Sequence, residues 1–507
     1  MDELMDLASK ETGAMPLSNA TLADLAGAAT LPRYDRSRLT PGIIHIGVGN
    51  FHRAHLAWYV HRLMQQGDAA DWGIIGSGVM ENDRNMRQNL LAQDCLTTLV
   101  ELDPEGGQAT EIIGSMLDYI PIEDGNLALV RAMADPRIRI VSMTVTEGGY
   151  YIDPKTGGLD LSHPDIRHDA GNPAAPRTAF GAMVAALRSR RDSGTGPFTG
   201  LCCDNLQGNG AILRQTVVGL ARLGDPDLAD WIDDNCSFPN SMVDCIVPAT
   251  GPRERELVRT LGVDDAVPVT HENFRQWVIE DDFCAGRPEW DRVGAEFSDC
   301  VHQHESRKIR ILNGGHQIVA NIGELMGLDT IAQTMETPVI RDLFTRVQCE
   351  EIVPHIPDIP GVTAAEYLDM VSARFANPAI VDTVRRVAFD GSARHVGFLL
   401  PSIRDGLATA GSVEGLALVE ALWARMCAGT REDGSLIEAN DPLWDLLTAT
   451  AAEARQAPSA WLGMTQIYGD LAANDSFAAA FGRWLKALYG DGVETTVRRY
   501  LESPGTA

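Results

Sequence analysis

A lysine in a chain that otherwise writes its positive charge as arginine is the first residue to explain. Of 42 basic residues only four are lysine: Lys10, Lys155, Lys308 and Lys486. An arginine guanidinium keeps its proton in a protein, whereas a desolvated lysine amine can give it up near neutral pH and act as a base. Lys308 lies in Glu305-Ser-Arg-Lys308-Ile-Arg-Ile-Leu-Asn313-Gly-Gly-His316. On a helix at about 100° per residue, Glu305, Lys308, Leu312 and His316 share one face, with Asn313 at its edge. That gathers a carboxylate, an amine, an amide and an imidazole, the groups needed to take a proton from a substrate and hold its oxygen. The competing reading is an ordinary surface lysine, with Glu305 a plain i,i+3 partner that raises the amine's pKa unless burial prevails.

A second group of residues suits a nucleotide. Gly47-Val-Gly49-Asn50-Phe51-His52-Arg53 follows an apolar run, and glycines there permit a tight turn whose backbone N–H groups can meet a pyrophosphate. His52 stands where the usual fingerprint has its third glycine. Gly47, Gly49, Asn50, Phe51 and Arg53 are therefore candidate cofactor contacts, although an S-adenosylmethionine site or a plain turn would read similarly. After the next apolar run, Glu81 is placed to hold ribose hydroxyls, which favours NAD; Arg84 beside it would instead suit the 2′-phosphate of NADP. In Cys203-Asp204-Asn205, Asn205 can donate to a developing oxyanion, or simply belong to an Asn/Gly turn. The pairs His52/His55 and His302/His304 lack the cysteine or carboxylate spacing of a zinc site, so no metal is expected.

The elements that must position these residues follow from periodicity. Gly42–Gly49, Trp72–Val79, Cys95–Leu102, Ile138–Thr146 and Phe198–Cys203 read as five buried strands, with helical stretches such as Ala54–Gln66 between them. Alternation of this kind predicts an α/β fold with a mainly parallel, doubly wound sheet. Past about residue 290 helical patterns dominate, at 305–327, 362–376, 378–388, 413–428, 440–455 and 473–502. The expected domains are 1–290 and 291–507. Gly314-Gly315 inside the first of these helices implies close approach of another backbone or a ligand, or a kink.

Bulk properties narrow the classes. A length of 507 residues implies two or three domains. The net charge of −28 disfavours nucleic acid and anionic membrane as partners. Nine cysteines without CxxC spacing read as reduced thiols of a cytoplasmic protein. The opening Met1-Asp-Glu-Leu-Met-Asp6 has no basic, then apolar, signal pattern, and no apolar run approaches a membrane span.

Taken together, these segments resemble the polyol-specific long-chain dehydrogenase/reductase family over nearly the whole chain. The resemblance is carried by Ile46–His55, Thr144-Val-Thr-Glu-Gly-Gly-Tyr150, Cys203-Asp-Asn-Leu206 and Asn240-Ser-Met-Val-Asp244. It continues in Phe274–Phe283, Gly286-Arg-Pro288, Lys308–His316, Arg374–Ile380 and Asp390-Gly-Ser-Ala-Arg394. It implies a Rossmann-type dinucleotide-binding N-terminal domain and a mostly α-helical C-terminal domain. It also implies metal-independent, NAD(P)-linked oxidation of a sugar alcohol to a ketose, such as D-mannitol to D-fructose, and the reverse. By the same resemblance Lys308 is the general base and Asn205 and Asn313 hold the substrate oxygen. His316 binds substrate, and Glu305 links the lysine to solvent, with Glu147. Thr146 and Glu147 adjoin the cofactor, Asp244 and Arg394 contact substrate, and a monomer is expected. Alternatives within the family are reduction of fructuronate or tagaturonate and oxidation of arabinitol or sorbitol. Outside it stand a non-catalytic nucleotide-binding regulator, against which the intact Lys308, Asn313 and His316 speak, and a methyltransferase, which has no use for a lysine base. Three departures from the family pattern are Cys245 in place of arginine, His304 in place of an aromatic, and His-Val-Gly after Arg394.

Overall fold

Strands buried on both faces must divide their side chains between two cores, and period-two alternation decides which residue goes where. In the computed structural model, which describes residues 13–153, 156–359 and 361–504, Ile43, Ile140 and Leu201 enter one core with Tyr59, Leu63, Trp277 and Trp290. Their neighbours Ile44, Val141 and Cys202 enter the other, with Phe180, Met183, Leu213 and Val217. The strands are β1 (Pro41–Ile46), β2 (Gly73–Ser77), β3 (Met116–Tyr119), β4 (Ile140–Met143) and β5 (Thr199–Cys202). They form one sheet in the order β3-β2-β1-β4-β5, every pairing parallel. This is the Rossmann order, and it reverses between β1 and β4, so the loops leaving those two strands flank the place where such sheets bind ligands.

One expected strand belongs elsewhere. Thr97–Leu102 pairs antiparallel with Gln108–Ile113 and parallel with Val269–Glu272, in a separate sheet. The reason is local. Asp103-Pro-Glu-Gly-Gly107 turns the chain straight back, with Gly106 at φ +87° and Asp103 N–H bonded to the Gly107 carbonyl at 2.9 Å. A hairpin needs no crossover helix, so this turn pairs the strand with its own neighbour in sequence. The short β3 takes its place in the central sheet. A third sheet pairs Ser241–Asp244 with Gln276–Ile279 and that strand with Glu296–Phe297.

The chain divides between His302 and Gln303 into two compact units. The second unit is built of helices. Helix Glu414–Met426 is buried from Gly415 to Met426 and is apolar there but for Glu420 and Arg425, as suits a helix in a core. Helix Gly314–Leu325 is nearly as buried. Three expectations need correction. The 473–502 stretch is two helices, Asp475–Asp491 and Val493–Glu502, because Gly492 adopts φ +84° and ends the first. Only Val384–Ala388 of 378–388 is helical, since Pro378 lies in a turn and Thr383, which caps the helix, is extended. Helices Ile331–Glu336, Pro338–Val347, Gly391–Phe398 and Leu400–Ala408 are additional. Among the described residues no helix is long and apolar enough to cross a membrane.

Candidate active site

β1 ends in the glycine turn. Gly47 has φ +91°, and a Cβ there would lie 2.1 Å from the Thr144 carbonyl oxygen, so only glycine fits. Gly49 is different: it is exposed, its φ is ordinary, and a Cβ would meet nothing within 4 Å. Helix Asn50–Ala54 begins immediately after it. Asn50 Nδ2 donates to the Pro248 carbonyl at 2.8 Å and to Thr250 Oγ1 at 2.9 Å, tying the turn to that segment. Phe51 is half-buried and stacks on His55 at 4.8 Å.

Arg53, read from sequence as a candidate cofactor contact, is fully buried. Its guanidinium donates to the Val267 carbonyl, to Asn50 Oδ1 at 2.7 Å and to the Gly49 carbonyl at 3.3 Å. It braces the turn from beneath, because a cation enclosed in the core must spend its donors on the chain. Glu81 and Arg84, the two residues that pulled in opposite directions over the ribose, form an exposed ion pair at 2.9 Å just beyond β2.

The loop after β4 is anchored by a residue that the sequence displayed inside its motif without a role. Asp204 accepts the N–H groups of Val145 at 3.0 Å and Thr146 at 2.9 Å and the Tyr150 hydroxyl at 2.6 Å. Burial first, then the neighbouring Cys202 and Asp204, drive the Tyr150 pKa well up, so its hydroxyl stays a donor. This grip holds Thr146 at φ +67°, a costly conformation for a β-branched residue of the kind that clusters at functional sites. The Glu147 side chain lies outside the described residues. Asn205 is half-buried just beyond β5. Asn209 donates to the Ser241 carbonyl at 2.7 Å and accepts its N–H at 2.9 Å, which fastens this loop to the strand ending in buried Asp244.

In the helical unit the candidate base and amide share one unusual turn. Lys308–Asn313 is π-helical, between α-helical Val301–Arg307 and Gly314–Leu325. A π turn bonds i to i+5, so Lys308 and Asn313 begin and end the same turn. The π turn brings Asn313 nearer the lysine's face than the uniform 100° wheel does, while Leu312 packs in the core. Gln348 Nε2 donates to the Ile311 carbonyl at 2.8 Å, supporting the widened turn. Glu305, Lys308 and Asn313 are only 3 %, 7 % and 8 % exposed. The glycine pair is explained by close approach, not by a kink. Gly314 keeps helical angles, and a Cβ on Gly315 would lie 2.8 Å from the Phe344 ring and 2.9 Å from Gln348 Nε2.

His316 stacks on Phe375 at 4.1 Å, with Nε2 4.0 Å from Asp382 Oδ2. Burial lowers its pKa to about 3, Asp382 opposing, so the ring is neutral. Asp382 also grips Arg386 through two bonds of 2.7 and 2.6 Å. Phe375, Asp382 and Arg386 were missed; the i,i+4 spacing of the last two was the available signal. Arg394 donates to the Val387 carbonyl at 2.5 Å. His395, one of the departures, is a core residue bonded to Glu420 at 2.8 Å. His304 is buried, its pKa lowered to about 4 by desolvation and by Arg307. Cys245 is half-buried. Among the described residues no group of three or more His, Cys, Asp or Glu is placed to hold a metal.

Comparison with known proteins agrees with this geometry. Residues 41–292 match the family described as Mannitol dehydrogenase Rossmann domain, and residues 300–489 the Mannitol dehydrogenase C-terminal domain. The chain is 52% identical to the mannitol 2-dehydrogenase of Cereibacter sphaeroides over 93% of its length and 98% of that protein's. It is 37% identical to the Aspergillus terreus mannitol 2-dehydrogenase, over 96% of this chain and 99% of that one. Among solved structures, Pseudomonas fluorescens mannitol 2-dehydrogenase, in a ternary complex with NAD and D-mannitol, superposes with a TM-score of 0.90 at 38% identity, covering 97% of this chain and all of that one. A substrate-free D-sorbitol dehydrogenase gives a TM-score of 0.85 at 33% identity, over 95% of this chain and all of the other.

Proposed function

The chain belongs to the mannitol dehydrogenase family, and we propose that it is an NAD-dependent polyol dehydrogenase that interconverts D-mannitol and D-fructose without a metal. The residues at the glycine turn fit the cofactor. Gly49 leaves open space where a backbone must come close to a pyrophosphate, and the turn stands at the switch point of the sheet. Gly47, Gly49, Asn50, Phe51, Thr146 and Glu147 would hold the cofactor, with Arg53 bracing the turn. Glu81 would face the ribose hydroxyls, where its charge disfavours an added 2′-phosphate. When bound, NAD accepts the hydride from the alcohol carbon.

The chain's own residues do the rest. Lys308 takes the hydroxyl proton, and Asn205 and Asn313 donate to the oxygen as it gains charge. Neutral His316 orients the substrate, with Asp244 and Arg394 as further contacts, and Glu305 passes the proton onward together with Glu147. The observation that carries this assignment is the burial of Lys308 at the head of a π turn that Asn313 closes. A buried amine can act as a base where an arginine cannot. The working protein is taken as a cytoplasmic monomer.

The test is absorbance of the reduced cofactor during turnover. Mannitol and sorbitol would be offered with NAD or NADP, and fructose and fructuronate with the reduced forms. Mannitol oxidation with NAD and fructose reduction with NADH are expected. Turnover restricted to sorbitol or to uronates would overturn the substrate while keeping the chemistry.

A further inference from the structure

The glycine turn is reached by a chain of side chains that the proposed function leaves unused. Parallel pairing sets His45 of β1 opposite Ser142 of β4. Two residues further on, Gly47 stands against Thr144. Thr144 Oγ1 lies 2.7 Å from the Gly47 carbonyl oxygen, His45 Nε2 lies 3.0 Å from Thr144 Oγ1, and His45 Nδ1 lies 2.9 Å from Ser142 Oγ. A carbonyl only accepts, so the Thr144 proton points at Gly47 and its oxygen is left to accept from His45. Nε2 therefore carries the imidazole proton, in agreement with a second acceptor, the Gly47 carbonyl itself, at 3.3 Å. Nδ1 is then bare and accepts the Ser142 hydroxyl. Burial lowers the His45 pKa to about 3, so the ring keeps one donor and one acceptor at any working pH. His52 stacks on it at 3.5 Å and fixes the ring plane.

We infer that His45 is a positioning residue for the cofactor turn: Ser142, His45 and Thr144 form a one-directional hydrogen-bond relay that locks the Gly47 peptide. That carbonyl also accepts the Gly49 N–H at 2.8 Å, so holding it inward keeps the whole turn in one shape and the cofactor meets it without reorganisation on binding. This rests on the nucleotide reading of the turn.

Calorimetric titration with NADH tests it on the full chain. Thr144→Val removes the donor at nearly constant shape. It should weaken NADH binding and raise KM for NAD by roughly three- to tenfold, the effect of one net hydrogen bond. The change in kcat should stay within about twofold. Thr144→Ser should restore the affinity. His45→Phe keeps a stacked ring but ends the relay, so adding it to Thr144→Val should cost little more, since both remove one chain. Independent, additive losses, or a Thr144→Val protein that binds NADH like the wild type, overturn the relay. Should His45→Phe not fold, the Thr144 pair decides alone. A wild type that takes up no NADH overturns the nucleotide reading, and this inference with it.

Discussion

Lys308 and Asn313 open and close one turn of helix, and both are withdrawn from water. The base proposed there must be unprotonated to take the substrate's proton, so charge alone cannot replace it. Lys308→Ala should lower kcat by about two to four orders of magnitude while NADH still binds. Lys308→Arg should lose a comparable amount although it keeps a cation, because the guanidinium holds its proton. Steady-state rates beside NADH titrations check both, and an arginine variant with wild-type kcat would remove the lysine from its role. The segment's residue types and order were legible in the sequence. Its true face was not, because a 100° wheel carries no hint that the turn widens. The side chain that supports the widened turn, Gln348 reaching the Ile311 carbonyl, comes from 37 residues further along.

At the scale of elements, two glycines make opposite predictions. Gly49→Ala meets nothing within 4 Å at an ordinary backbone conformation, so the unfolding midpoint should hold. The added methyl would occupy the approach to the cofactor, and KM for NAD should rise about tenfold or more. Equal affinity in the two proteins would mean that nothing packs there. In Gly315→Ala the new Cβ would press on Phe344, which is fully buried and has no room to withdraw. Alanine's better helix propensity, about 1 kcal/mol, opposes an overpacking cost of roughly 1–3 kcal/mol. The clash should win, and a lower midpoint in urea is the expected result. A midpoint equal to or above the wild type would show that the neighbouring side chains repack freely.

Across the whole molecule, several histidines are buried uncharged. His45, His271 and His316 each have a pKa lowered to about 3, against about 6.5 for the unfolded chain. Below pH 6.5 the unfolded state therefore binds protons that the folded state refuses. The stability these residues provide is complete above pH 6.5 and is lost as the pH falls toward 3. Each contributes a slope approaching about 1.4 kcal/mol per pH unit within that window. The urea midpoint should fall between pH 7 and pH 5, and a midpoint that rose on acidification would contradict this. Activity should also survive exhaustive chelation with the chemistry assigned to Lys308; a loss that zinc restored would transfer the role to a metal.

Composition and local pattern determined a good deal. An α/β half followed by a helical half, the glycine turn, the scarcity of lysine and the order of the motifs are properties of neighbouring residues, and neighbours are what a sequence displays. Tertiary structure decided what depends on distant partners. It placed Thr97–Leu102 in a separate sheet, between its hairpin partner Gln108–Ile113 and the distant Val269–Glu272. It turned Arg53 from a candidate cofactor contact into a buried brace, because burial is set by the whole fold and not by residue type. Asp204 acquired its anchoring role, and His45 its tautomer, only when β1, β4 and β5 came side by side. Hydrogen bonds are directional and short, so which donor meets which acceptor is settled by the packing of strands far apart in the chain.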